Sequence, residues 1–398
     1  MYDVSIIGAG IVGLSTAYQL QIKKPYTRIL IIEKESEVAQ HQTGNNSGVI
    51  HSGIYYKPGS LKAKNCIHGY QLLIDFAKKH NIPFELCGKI IVASDESELE
   101  ALHKIYDRGI ENGLKDLKWL EEGEMKEIEP HLHGIKGVRV PQTGIIDYKA
   151  MSQKLKELLI ENGAEFVFNN KVKDIELKKE ACIIKTDKAE YQSAMLVNCA
   201  GLYSDKIARL SNQNVNLKIV PFRGEYYELK PEKRYLVKHL IYPVPDPAFP
   251  FLGVHFTRMI GGGVEAGPNA VLAYAREGYK KSDVNLSEFF ETLTWPGFQK
   301  VALKYWKTGI GEFYRSYSKA AFTKALQKLI PEVQSDDLIP GAAGVRAQAC
   351  DKEGGLLDDF MILESKRVLN VCNAPSPAAT SSLSIGETLS KKIIDQMI

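Results

Sequence analysis

The sequence predicts an α/β fold built on a strand–helix–strand unit at its start, and three observations carry that expectation. The first is the run Asp3-Val-Ser-Ile-Ile-Gly-Ala-Gly-Ile-Val-Gly13. Val4 to Ile7 read as a short strand, and Gly8, Gly10 and Gly13 suit a tight turn, close approach of a pyrophosphate and close packing of a helix. The second is Ile11 to Leu20, which reads as the helix whose positive end faces the phosphates. The third is Ile29-Leu-Ile-Ile32, which ends at Glu33, twenty residues after the third glycine. There a carboxylate can accept both ribose hydroxyl hydrogens and disfavour a 2′-phosphate. A glycine fingerprint alone is weak, and a glycine-rich turn without a ligand is its ordinary alternative; here all five parts fall at the expected offsets of a Rossmann-like dinucleotide fold.

At 398 residues the chain exceeds what one ordinary core holds, so two joined domains are expected. Its 44% hydrophobic and 25% charged residues describe a soluble globular protein, and a net charge of +3 is too small to argue for nucleic acid. Cys66, Cys87, Cys182, Cys199, Cys350 and Cys372 form no CxxC pair. That suits reduced thiols, and no metal site is expected. The opening unit starts within a few residues of Met1, which leaves no room for a signal or transit peptide, so a cytoplasmic location is expected. Asn45-Asn-Ser and Asn285-Leu-Ser match the glycosylation pattern by chance on this reading. No apolar run reaches the roughly 18 residues needed to span a bilayer.

After Glu33 comes a dense polar and small-residue stretch, His41-Gln-Thr-Gly-Asn-Asn-Ser-Gly-Val-Ile-His51-Ser-Gly-Ile-Tyr55-Tyr56-Lys57. A surface loop has such composition, but this one leaves the end of the second strand and must cross the crevice where open α/β sheets bind ligands. Ser60 then caps a helix to about Lys79 with Cys66, Tyr70, Leu73 and Ala77 on one stripe. Residues 84–147 read as an insertion outside that sheet: a strand at Lys89 to Ala93, an amphipathic helix around Leu99, Leu102, Tyr106 and Ile110, and a turn at Val140 to Gly144. From Tyr148 the αβ pattern returns, with a helix stopped by Gly163, short strands to Thr186 and a strand Ala194 to Gly201 whose Cys-Ala-Gly end forms a second lip. Residues 218–268 read as a β meander, including Lys218 to Leu229 and Phe251 to Arg258, able to roof the crevice. Residues 286–330 read as helical and aromatic. The chain closes through Gly341 to Arg346, a strand Arg367 to Cys372, and Asn373 to Thr380 leading into a helix to Ile398 with proline in its first turn. That helix start is either an anion or flavin-edge site or a simple cap.

With these pieces in view the chain resembles the D-amino-acid-oxidase-like FAD oxidoreductases, and within them the L-2-hydroxyglutarate dehydrogenase/oxidase group. His41 to Pro58, Pro221-Phe-Arg-Gly-Glu-Tyr226, Ala343-Gly-Val-Arg-Ala-Gln348 and Cys372 to Thr380 are similar to that group nearly residue for residue; Asn45 stands where the group usually has His. The resemblance implies a Rossmann-like FAD-binding domain assembled from residues 1–83, 148–215 and 336–398. It also implies an antiparallel-sheet substrate domain with helices from 84–147 and 216–335. Cofactor contacts are expected from Gly8, Gly10, Gly13, Glu33 and Lys34, and from Gln42, Thr43, Gly44, Asn46, Ser47 and Gly48 on the crossing segment. Val172, Ala200, Gly201, Gly344, Arg346, Pro375, Ala378 and Thr380 complete that expectation.

Removing hydride from an alcohol carbon needs a base for the hydroxyl proton, and histidine is best poised for this near neutrality. His51, on the crossing segment, and His255 are the candidates, with a merely structural pair as the alternative. A dicarboxylate substrate needs two cationic clamps. The resemblance gives Arg346, after an Ala-Gly-Val turn, the carboxylate beside the reacting carbon. Arg223, Arg258 or Lys57 then reach the distal carboxylate or the flavin edge, or serve a surface or sheet edge instead; Tyr55 and Tyr56 donate to substrate or pack. An NAD-dependent dehydrogenase would not need the crossing segment, whereas a flavin amine oxidase or a glycerol-3-phosphate-dehydrogenase-like enzyme would share it. A flavin module without turnover would leave the cluster idle. The partners expected are a small dicarboxylate and an electron acceptor, quinone or oxygen, with oligomeric state open. Residues 286–330 hold seven basic and three acidic residues interleaved with aromatics. Two readings stand there: a helix on the inner face of the cell membrane, or aromatics packed under the sheet with a solvated lysine face.

Overall fold

The computed structural model describes residues 1–211, 214–246 and 252–397. Phe251 and Ile398, each at the end of an expected element, lie outside the described residues. The chain opens with β1 (Tyr2–Ile7), α1 (Ile11–Lys23) and β2 (Ile29–Ile32). Every position of β2 is apolar because both its faces are covered. Ile29 and Ile31 join one core cluster with Leu14 and Leu20, whereas Leu30 and Ile32 join another with Ile184 and Leu196. Two-sided burial is the requirement of a parallel sheet under helices. After β3 (Val49–Ile50), α2 (Leu61–Lys79) starts at Ser60, whose Oγ accepts from Ala63 N–H at 3.1 Å.

The next stretch gives β4 (Phe84–Glu85), β5 (Lys89–Ala93), α3 (Leu99–Glu111), β6 (Lys118–Glu121), α4 (Glu122–Ile128), β7 (Lys136–Val140) and β8 (Gly144–Ile146). α3 buries Leu102 and Ile105 but leaves Ile110 52% exposed, so its stripe is narrower than the periodicity predicts. The αβ pattern resumes with α5 (Tyr148–Glu161), β9 (Glu165–Val167), β10 (Val172–Leu177), β11 (Cys182–Thr186), β12 (Glu190–Asn198) and α6 (Ser204–Leu210). Then follow β13 (Leu217–Leu229), β14 (Leu240–Pro243), β15 (His255–Arg258) and β16 (Val264–Leu272). The helices α7 (Leu286–Leu293), α8 (Pro296–Tyr317) and α9 (Lys319–Leu326) lead to β17 (Leu338–Asp351), β18 (Met361–Glu364), β19 (Val368–Asn373) and α10 (Ser382–Met397).

In the first sheet β2 pairs with β1 and β9, and β1 with β12, all parallel. β12 then forks: Ser193 and its predecessors pair antiparallel with β11, whereas Leu196 to Asn198 pair parallel with β19. The second sheet has the order β17-β13-β16-β15-β14-β5-β7-β6. Only β14, β15 and β16 follow one another as a meander, because β13 is held between β16 and β17. The segment Gly341 to Arg346, expected as a turn and grouped with the FAD-binding pieces, instead lies extended inside β17 with Arg346 opposite Phe222. Pairing with β13 satisfies its backbone N–H and C=O groups, which small side chains alone would leave to a loop. The proline expected in the first turn of the last helix lies upstream of it, since α10 begins at Ser382.

The two large sheets are tied together by charge. Asp205, fully buried on α6, accepts from Arg276 Nη2 at 2.9 Å, from Arg209 Nη1 at 3.0 Å and from Ile219 N–H of β13 at 3.3 Å. Burial raises such a carboxyl, but Arg276 and Arg209 together hold it below its ordinary value. Replacing Asp205 with Ala strands the 2% exposed Arg276 guanidinium and should cost about 3–5 kcal/mol in denaturant unfolding. Because the folded value is depressed, the pair's stabilisation is complete above the ordinary 3.8 and fades as pH falls below it. A parent protein and a variant of equal stability at pH 7 would refute the assignment.

Candidate active site

Steric closeness shapes the floor of the site. Gly8 has φ +102°, and a Cβ there would stand 2.6 Å from the Cys199 carbonyl oxygen; one on Gly13 would stand 2.1 Å from that of Gly8. The end of β1, the start of α1 and the end of β12 therefore touch backbone to backbone. No acid occupies the first turn of α1, so its amide end is free to favour an anion. Glu33 is almost fully buried, and its two carboxylate oxygens accept from Ala9 N–H at 2.7 Å and Glu35 N–H at 2.9 Å. Thr43 Oγ1 accepts from Ile11 N–H at 3.0 Å, which staples the crossing segment to the helix start.

A cavity of about 750 Å³ runs from this floor to the face of the second sheet. It is lined by Gly8, Gly10, Glu33, Lys34, Gln42, Thr43, Asn46, Ser47, His51, Val172, Ala200, Gly201, His255, Gly344, Arg346 and Ala378. The chain thus brings together residues more than three hundred positions apart. Other expected residues stand behind the wall. Gly44 packs against Ala39, Gly48 takes φ +67° in the crossing segment, and Thr380 Oγ1 accepts from His51 N–H at 3.1 Å. Gly13 supports the turn, and Pro375 borders the lining residue Ala374. Lys57 is exposed. Arg223 is spent on Glu225, two residues along the same strand β13, at 2.8 Å, and Arg258 on Glu85 of β4 at 2.9 Å, and neither lines the cavity. Lys34 reaches Glu277 at 2.6 Å and His41 at 2.8 Å. Glu35, His41 and Glu277 offer three ligand atoms within 4.8 Å of one another, and the Lys34 ammonium seated among them supplies the positive charge there.

At the other end, His51 Nε2 is 3.4 Å from Ser376 Oγ, which also bonds the Tyr56 hydroxyl. Burial, then the cations Lys89 and Lys62, then His255 push the His51 value down to about 3. His255 is likewise lowered to about 4, by burial first; its Nδ1 lies 2.8 Å from the Gly253 carbonyl, which accepts its hydrogen and leaves Nε2 as the acceptor nitrogen. Both imidazoles are neutral at pH 7 and able to take a proton. Arg346, enclosed except toward the cavity, has its value lowered by burial, opposed by the Asp358 and Tyr56 charges, and remains a cation. Sequence reasoning missed Ser376, Lys62, which is 2.6 Å from Asp358, and Lys89, which is buried between the rings of Tyr55 and Tyr242. A lysine at the head of the otherwise apolar run Ile90 to Ala93 was the available signal for the last.

The family described as FAD dependent oxidoreductase matches residues 3–392. The L-2-hydroxyglutarate dehydrogenase of Indibacter alkaliphilus is 58% identical over 389 residues, 98% of each chain. The mitochondrial L-2-hydroxyglutarate dehydrogenase of Homo sapiens is 43% identical over 409 residues, 98% of this chain and 88% of that one. Among solved structures, FAD-bound L-alpha-glycerophosphate oxidase from Mycoplasma pneumoniae superposes with a TM-score of 0.80 at 22% identity, covering 99% of this chain and 94% of that one. Glycine oxidase from Geobacillus kaustophilus gives 0.75 at 16%, covering 99% and 94%. At such identities these two report the fold alone.

Glu33→Ala should weaken FAD retention by roughly 1.5 to 3 kcal/mol, the scale of a charged acceptor lost from a buried site. Flavin occupancy and dissociation constant, measured on purified protein, check this; unchanged affinity would remove the ribose role.

Proposed function

The chain belongs to the FAD dependent oxidoreductase family, and on that basis we propose that it oxidises L-2-hydroxyglutarate to 2-oxoglutarate. The observation that carries the proposal is identity of 43–58% along essentially the whole chain with L-2-hydroxyglutarate dehydrogenases from bacteria and animals. FAD is its cofactor, and the residues present fit that group. The glycine floor has no room for a Cβ, Glu33 stands beyond β2 with its carboxylate fixed, and the long cavity joins both to the sheet that carries Arg346. Gly8, Gly10, Glu33, Thr43, Ala200 and Gly201 would hold the dinucleotide part. FAD, when bound, supplies the hydride acceptor.

The side chains divide the remaining work. Arg346 takes the carboxylate beside the reacting carbon with its planar fork, for which lysine is a poor substitute. His51, neutral because burial disfavours its cation, accepts the hydroxyl proton as the carbonyl forms. The dianionic substrate offsets the positive field of Lys89 and Lys62, so its arrival raises the proton affinity of His51 when the proton must be taken. Ser376 holds the imidazole and links it to Tyr56. His255, which also lines the cavity, stands as the alternative base.

The enzyme class requires an electron acceptor, and α8 bears on its identity. Phe298 is buried and Phe289, Trp295, Tyr305 and Phe313 are half-buried, which is the packing alternative. Yet Leu303, Trp306, Ile310, Tyr314 and Tyr317 recur at helical spacing and are 56 to 76% exposed, flanked by exposed Lys300, Lys304 and Lys307. Among the described residues no helix is long and apolar enough to cross a membrane. This stripe suits an anionic lipid surface and hence transfer of electrons to a membrane quinone.

Anaerobic mixing with L-2-hydroxyglutarate should bleach the flavin, and His51→Ala should slow that bleaching about 10²- to 10⁴-fold with little change in binding. A parent that does not bleach would overturn the substrate; an unslowed His51→Ala would move the base to His255. Anionic liposomes should sediment the holoenzyme at low salt and release it at high salt, and reversing Lys300, Lys304 and Lys307 to Glu should abolish binding. Protein left in the supernatant at low salt would remove the lipid contact.

A further inference from the structure

We infer that Lys89 takes the distal carboxylate of the substrate and so selects dicarboxylates over monocarboxylates, an inference that rests on the functional reading above. The demand is electrostatic. Arg346 balances one of two negative charges brought into the cavity, and the second needs a cation of its own. The arginines expected for that role are committed elsewhere, Arg223 to Glu225 and Arg258 to Glu85, while Lys62 is committed to Asp358.

Lys89 is 2% exposed, and no carboxylate pairs with it among the described residues. Its ammonium stands 4.3 Å from the ring centre of Tyr55 and 5.0 Å from that of Tyr242. Aromatic faces hold a cation without neutralising it. Strand alternation puts the residue on the site's side of the second sheet: Ile90 packs with Ile241 and Phe256 on the far side, and Leu240, opposite Lys89, shares its side with Tyr242. Lys89 stands one side chain behind the cavity wall, against Tyr242, which lines the cavity together with His255, their ring centres 4.0 Å apart. The charge of Lys89 is felt by both His51 and His255. An unpaired buried ammonium costs stability, so its presence points to a negative charge that arrives with a ligand.

Burial lowers Lys89 to about 7, so a bound carboxylate has a protonation to restore. The groups facing it stay neutral around that pH: His51 and His255 are lowered by burial, while Cys66, Tyr55 and Tyr242 are raised by it. Glu265 on β16, lifted to about 7 by burial and then by Glu228, bears on Tyr242 and is removed as Glu265→Gln in a control.

The test uses holoenzyme, with glutarate and pentanoate binding measured by calorimetry and turnover measured on L-2-hydroxyglutarate and L-2-hydroxypentanoate. Lys89→Met should raise the glutarate dissociation constant and the KM for L-2-hydroxyglutarate about 10²-fold, while leaving both monocarboxylates within about twofold. Equal glutarate affinity in parent and Lys89→Met, or equal losses on both substrates, overturns the clamp. The parent alone gives a second test that needs no folded variant: glutarate affinity should fall as pH rises above about 7, with and without Glu265→Gln, while pentanoate affinity changes far less. A flat glutarate profile overturns the clamp even if Lys89→Met loses its flavin. A parent that binds glutarate in this way yet fails to oxidise L-2-hydroxyglutarate would remove the functional reading and leave the cation site standing.

Discussion

The arrangement depends on the buried ion pair between Asp205 and Arg276. Neither sheet encloses the cavity alone, since Gly8, Ala200 and Gly201 come from the ends of β1 and β12, whereas His255 and Arg346 come from β15 and β17. Apolar contact between the sheets would be tolerant of sliding, because it is non-directional. A guanidinium fork on a carboxylate is not tolerant, and Asp205 also accepts from Arg209 and from the backbone of β13. Full use of its oxygens offsets the cost of taking both charges out of water. The pair thus holds α6 against β13 beside the cavity, where Ser204 and Lys206 line it.

Much of the opening unit was legible because its determinants are local. The glycine spacing, the apolar strand and the terminal acid all fall within about thirty residues of sequence, and β1, α1 and β2 lie where they were expected. β17 was not legible in that way. Gly341 to Gly344 have the composition of a turn, and only β13, more than a hundred residues earlier, makes them a strand. The distal clamp was misplaced for a related reason. Arg223 and Arg258 carry the right chemistry, but Glu225 shares a face of β13 with Arg223 once that segment is extended, and Glu85 meets Arg258 only when the fold brings together residues 173 positions apart. Lys89 shows the converse, a charge that sequence pattern assigns to the edge of a strand and that packing encloses between two rings.

Chemistry at the far end of the cavity is set by what surrounds the histidines. Desolvation and neighbouring ammonium groups both favour neutral imidazole, so His51 and His255 are ready to accept a proton without first losing one. The positive field that keeps them neutral is the same field that draws in a dianion. Cys199 and Cys372, the thiols that line the cavity, are pushed up to about 12 by burial and stay protonated, which makes them poor nucleophiles toward a flavin ring.

The fork in β12 has a consequence for how the protein is made. Leu196 to Asn198 already pair with β1 and gain their second parallel neighbour only when β19, Val368–Asn373, has been synthesised, and α10 then packs on α1 so closely that a Cβ on Gly386 would stand 2.5 Å from the Ser15 carbonyl oxygen. Arg346 and the lining residues from Val371 to Ala379 likewise arrive last. A ribosome-bound chain can form the glycine turn early, yet the vessel around the cofactor has an open side until the C-terminal residues emerge. The cofactor's full enclosure therefore waits for the segment from Gly344 to Ala379, whatever the glycine turn can hold before it.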